Sequence, residues 1–141
     1  MSYTYTKRPI KSFQDLEVYQ RLLAVSVAIA KRIVQTPDRA SLHAIALDLP
    51  VKIAAAHSLR FSDKAKALQT LEEIMLNCNL LVVYLEQYRD IKNGDLSANE
   101  RIEPEFFEEQ IKTILTTRSK VLRLQFSWKK FSDQNYNQNV K

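Results

Sequence analysis

The sequence predicts an all-α fold, an antiparallel up-down-up-down four-helix bundle, on three observations. The chain has a single glycine in 141 residues and an apolar fraction of 45%, a composition of long helices and few tight turns. Four segments repeat apolar residues at spacings of three and four, the helical period. The connections between them are short and carry prolines, caps or Asn-Gly, which makes chain neighbours antiparallel neighbours. A domain of this length buries a core without disulfide or metal. The expected layout is a flexible basic arm over residues 1–11, the bundle over 12–131, and a disordered polar tail over 132–141, rich in Asn and Gln.

Ser12 followed three residues later by Asp15 has the form of a capping box, so the first helix is expected from Phe13 to about Val34, before Pro37. It carries two apolar stripes. One is Leu16, Leu23, Val27 and Ala30; the other is Val18, Leu22, Val25 and Ile29. A helix apolar on more than one side is either deeply buried or in contact with another subunit. We assign Val18, Leu22, Val25 and Ile29 to a subunit contact. The second helix is expected from Pro37 to Leu59 with Thr36 as its N-cap, and Pro50 kinks it by removing a hydrogen bond. Ile45, Leu49, Ile53 and Ala56 continue across the proline, as one bent helix requires, although two helices split at Leu49 also fit. Ser62 is the expected cap of the third helix, which runs to about Arg89. Its Leu68, Leu71, Met75, Cys78, Val82 and Leu85 form the most regular heptad run in the chain. Asn93-Gly94 and a polar loop from Asp95 to Glu103 precede the last helix.

That last helix, Phe106 to Phe131, opens after Pro104 with an acidic first turn, where carboxylates meet the positive end of the helix dipole. From Ile111 onward its charges are Lys112, Arg118, Lys120, Arg123, Lys129 and Lys130, with no acid among them. At about 100° per residue, Lys112, Lys120, Arg123 and Lys130 fall on one stripe beside Thr116, Ser119 and Ser127. Phe107, Ile111, Ile114, Leu115, Val121, Leu122 and Trp128 fall on the packing flank, and Phe126 lies near the edge of the ridge. Lys7, Arg8 and Lys11 add three more positive charges in the arm, beside Tyr3 and Tyr5. With a net charge of +5 for the whole chain, the remainder is net acidic. Positive charge gathered in two segments is the footprint of a partner polyanion, RNA or DNA. A lysine-rich face that keeps the protein in solution has the same pattern.

Catalytic constellations are not evident. His43 and His57 are about 21 Å apart along one helix, too far to share a metal. Cys78 falls on an apolar stripe, the position of a buried structural thiol, and adjacent Glu72 and Glu73 point different ways. The single glycine leaves no phosphate-cradling loop. The expectation is a non-enzymatic protein with no metal and no cofactor. A lone cysteine, polar and basic opening residues without a following apolar run, and no apolar stretch of about 18 residues lead us to expect a cytoplasmic protein, with no signal peptide and no membrane partner.

Two motifs carry a family resemblance. Ser12-Phe13-Gln14-Asp15-Leu16-Glu17-Val18-Tyr19-Gln20 resembles the opening of the four helix bundle protein family, which includes proteins encoded in intervening sequences of bacterial 23S rRNA genes. Ala44-Ile45-Ala46-Leu47-Asp48-Leu49-Pro50-Val51-Lys52-Ile53-Ala54 is similar to that family's apolar run with a proline followed by Ile-Ala. The likeness covers about residues 12–131, by motif in the first half and by length and pattern in the second. Where intervening-sequence members commonly continue Ile-Ala with Glu-Gly, this chain has Ala55-Ala56. That departure, with the basic last helix, points to the Avd branch, the accessory variability determinants of diversity-generating retroelements. The resemblance implies a ring-like homopentamer with a central channel that binds nucleic acid and a reverse transcriptase and assists cDNA synthesis from a template RNA, without catalysis of its own. A structural scaffold that binds only protein partners is the alternative.

Overall fold

A computed structural model describes the backbone of residues 10–140 and the side chains of 10–130. The described residues are all helical or irregular, with no strand among them. Four long helices dominate: α1 (Glu17–Arg32), α2 (Ala40–Leu59), α3 (Lys64–Gln87) and α4 (Pro104–Val140). Each packs on its chain neighbours, and α4 packs back on α1, so α2 and α4 stand across the bundle from each other.

The capping box forms as expected: Ser12 Oγ accepts from the Gln14 amide at 3.2 Å, and Asp15 accepts from the Ser12 amide at 3.2 Å. It opens a 3-10 turn over Phe13–Asp15 and not the long helix, because Leu16 is extended and α1 begins at Glu17. Leu16 is buried, and the Phe13 and Tyr19 rings meet edge to face at 5.0 Å. In α1 the stripe Val18, Leu22, Val25 and Ile29 lies in the core of the chain's own bundle, each at most 6% exposed. This overturns its assignment to a subunit contact: side chains already buried within one chain leave no surface for another. The other stripe is partly outward, with Val27 and Ala30 exposed.

A 3-10 turn over Pro37–Arg39 leads into α2, which stays one helix through Pro50. Its core line is Leu42, Ala46, Leu49, Ile53 and Ala56; Ile45 is half-buried. The His43 ring reaches the carbonyls of Arg39 (3.2 Å) and Ile33 (2.7 Å), tying the end of α1 to the start of α2. Asp63, one residue after the expected Ser62, caps α3 by accepting from the Lys66 amide at 3.2 Å. The heptad run of α3 is buried from Leu71 to Leu85, joined by Ile74 and Leu81, while Leu68 is only half-buried. After Gln87 the helix widens into a π turn over Tyr88–Lys92. The Asn93 amide then clamps Ile102, donating to its carbonyl (3.0 Å) and accepting from its amide (2.9 Å), which closes the loop before α4. Pro104 is the first residue of α4, where a missing N–H costs nothing. The helical backbone continues to Val140, past the boundary at Phe131 expected from composition, with no proline or glycine to stop it.

The core fixes two expected outcomes. Phe107→Ala removes a fully buried ring and is expected to lower unfolding free energy by about 3–5 kcal/mol. Phe126→Ala, at a ring 58% exposed, is expected to change it by less than about 0.5 kcal/mol. Urea denaturation of both variants checks the pair.

Candidate nucleic-acid interface

On α4 the inward line is Phe107, Ile114, Thr117 and Val121, all with no measurable exposure, followed by Gln125. Gln125 donates across to α3, to the Leu68 carbonyl at 3.2 Å and to Glu72 at 3.1 Å. With that line turned in, Lys112, Arg123 and Lys130 share the outward face with Thr116, Ser119 and Ser127, all exposed. Lys129 is exposed toward the α3 side, where Lys64 Nζ donates to its carbonyl at 3.3 Å. None of these four cations forms an ion pair among the described residues. From Lys112 to Lys130 the face runs about 27 Å at 1.5 Å per residue.

Two of the six expected cations differ. Lys120 lies on the α1 edge, 28% exposed, with Nζ 3.4 Å from Glu17, so part of its charge is neutralised. Glu17 also pairs with Arg21 at 2.8 Å; burial works against its ionised form, but Arg21 and Lys120 outweigh that and hold its carboxyl below the ordinary value. Arg118 is not on the ridge. It turns toward α3, partly buried, with its Nε buried and unpartnered and its charge felt at Cys78. Helical spacing explains the difference, since Arg118 is only about 60° from inward-facing Val121. In the arm, Lys11 is exposed, whereas Lys7 and Arg8 lie outside the described residues.

Leu115, Leu122 and Phe126, taken from sequence as packing or ridge-edge residues, are exposed at 44%, 36% and 58%. They line the side of α4 nearest α3, so the basic face is bordered by apolar surface. Trp128 is half-buried, its ring 6.3 Å from that of His57.

The groups with catalytic potential are placed for packing. Cys78 is fully buried; burial pushes its thiol up to about 12, with Arg118 opposing. His57 is buried, and burial first, then the neighbouring Arg60 charge, lowers its pKa. Among the described residues no three His, Cys, Asp or Glu side chains converge as a metal site. No described helix is long and apolar enough to cross a membrane. No family model, curated protein or solved structure matches this chain.

A cavity between the start of α2 and the end of α3 has no signature in the residue pattern, since its walls come from segments some forty residues apart. A π turn has no simple period that would have flagged it.

Two outcomes follow from the buried groups. Because the folded pKa of His57 lies below its ordinary 6.5, the unfolded chain binds the proton better. Stability contributed there is complete above about 6.5 and is lost as pH falls toward the folded pKa. Denaturation midpoints are expected to fall on acidification from pH 7 to 5, and His57→Gln to remove part of that slope. The buried Cys78 thiol is expected to react with a disulfide reagent at pH 8 at least about 100-fold more slowly in the native protein than in urea, as a stopped-time thiol assay reads.

Proposed function

We propose that this chain is a non-enzymatic, oligomeric nucleic-acid-binding accessory protein of the Avd type, serving a reverse transcriptase during cDNA synthesis from a template RNA. The observation that carries the proposal is a set of exposed cations, Lys112, Arg123 and Lys130 on the outward face of α4 and Lys129 toward its α3 side, that form no ion pair among the described residues. An unpaired surface cation is free to displace counterions from a phosphate backbone, the main source of sequence-independent affinity. Exposed Phe126 beside it offers a ring on which an unpaired base can stack. Lys120 contributes less because it must leave Glu17 to reach a phosphate.

In this reading the four helices alternate in direction and copies assemble as a ring-like homopentamer in the cytoplasm. With the α1 stripe buried, subunit contact falls to the outward face of α2. There Leu47 and Val51 are 48% and 62% exposed between Ala44 and Ala55, and the one acid, Asp48, is engaged by Lys52 at 3.7 Å. Because α2 stands across the bundle from α4, contacts there leave the basic face free. A ring repeats that face around its axis and strengthens the field of each copy. The same exposed apolar side chains favour a second reading, a scaffold that binds protein alone.

Fluorescence anisotropy of a labelled structured RNA and a duplex DNA tests the proposal. Affinity is expected to fall steeply with salt, and each ridge lysine replaced by Gln to reduce the slope of log K against log salt by about 1. Lys112→Glu with Arg123→Glu and Lys130→Glu is expected to weaken binding more than about tenfold with helicity and oligomer mass unchanged. Lys31→Glu, exposed on α1, is expected to weaken it less than about threefold. Absence of binding at low salt would favour the protein-only scaffold.

A further inference from the structure

The start of α2 and the end of α3 enclose a cavity of about 240 Å³. Its inner wall is Leu42 and Tyr88, each at most 5% exposed, with half-buried Tyr84 beside them. Its rim is Ser41, Gln87, Ile91 and an ion pair of Lys92 with Asp38 at 3.3 Å. The π turn over Tyr88–Lys92 supplies three of these side chains, and such turns recur at functional sites.

Arg39 makes this more than a surface dent. Its guanidinium lies over the Tyr88 ring at 4.8 Å, and one terminal nitrogen donates to the Val34 carbonyl at 2.8 Å. Its Nε, however, is buried without a hydrogen-bond partner, and no carboxylate pairs with it among the described residues. A buried donor on a charged group costs stability until something accepts from it. The one acid on the wall, Asp38, is already held by the Thr36 hydroxyl and by Lys92. The wall therefore keeps one uncompensated positive charge. Ser41, Tyr84 and Gln87 side chains also make no hydrogen bond among the described residues.

We propose that this cavity binds a small organic anion, a single ring or short apolar body bearing a carboxylate or phosphate. Arg39 attracts the oxyanion through its uncompensated charge at the cavity wall, and charge-assisted hydrogen bonds donated by a guanidinium are strong. Leu42 and Tyr88 cover the apolar body, and Ser41, Tyr84 and Gln87 complete the polar contacts. The volume is below the roughly 300–1,000 Å³ of sites for drug-sized ligands, which limits the occupant to about one ring. α4 takes no part in the cavity, so this site stands or falls separately from the basic face.

The test is a titration of the full chain by nitrogen-15 correlation spectra with benzoate, phenyl phosphate, inorganic phosphate and neutral benzamide. Benzoate or phenyl phosphate is expected to shift the amides of residues 38–42 and 84–92 saturably, and the stronger of the two identifies the headgroup. Benzamide and inorganic phosphate are expected to bind at least about tenfold more weakly. Arg39→Gln is expected to weaken the ring anion at least about tenfold, and Tyr84→Phe to weaken it measurably. No saturable shift with either ring anion, equal binding of benzamide, or unchanged binding by Arg39→Gln overturns the proposal. Should Arg39→Gln not fold, the benzoate and benzamide titrations of the native chain decide alone.

Discussion

A straight helix laid along a bundle keeps one free angle, its rotation about its own axis, and the surface chemistry of this protein depends on how that angle is fixed in α4. Phe107, Ile114, Thr117 and Val121 form a single fully buried line. Gln125 extends it with two hydrogen bonds to α3. Rotating α4 by one residue, about 100°, would expose that line and break both bonds. It would also carry cations toward the core, where an unpaired charge is strongly disfavoured. The packing of one face thus orients the other, and Lys112, Arg123 and Lys130 point outward because Phe107 and Val121 cannot.

The same logic shows what the sequence could and could not tell. The basic face was legible because a one-sided helix has only one way to dock. Core positions of α3 were legible for the same reason, its heptad run being apolar on one stripe. In α1 two apolar stripes competed, and only the placement of its neighbours decides that Val18, Leu22, Val25 and Ile29 face inward. α2 is apolar almost all round, so its exposed Leu47 and Val51 could not be told from its buried Leu49 and Ile53. Ser62 and Asp63 are both good N-caps, and one residue of register separates them.

Electrostatics sorts the cations further than spacing can. Lys120 and Arg118 sit on either border of α4, where the neighbouring helix supplies what each meets: Glu17 from α1 for Lys120, and the region of Cys78 on α3 for Arg118. Of the two only Lys120 meets a counter-charge, while Lys112, Arg123, Lys129 and Lys130 form no ion pair among the described residues. Arg39 is the contrasting case, a cation whose charge is uncompensated in a wall and not on a ridge. Sequence gave it no distinction, since its surroundings are assembled by the 3-10 turn before α2 and the π turn after α3.

The most direct test of the central claim is residue-resolved lysine acetylation, read by mass spectrometry, with and without a structured RNA. The account predicts that Lys112, Lys129 and Lys130 lose reactivity when RNA is present, while Lys31 and Lys66, exposed on α1 and α3, keep theirs. Undiminished reactivity at Lys112, Lys129 and Lys130 with RNA bound, or protection centred on Lys31 or Lys66, would contradict it.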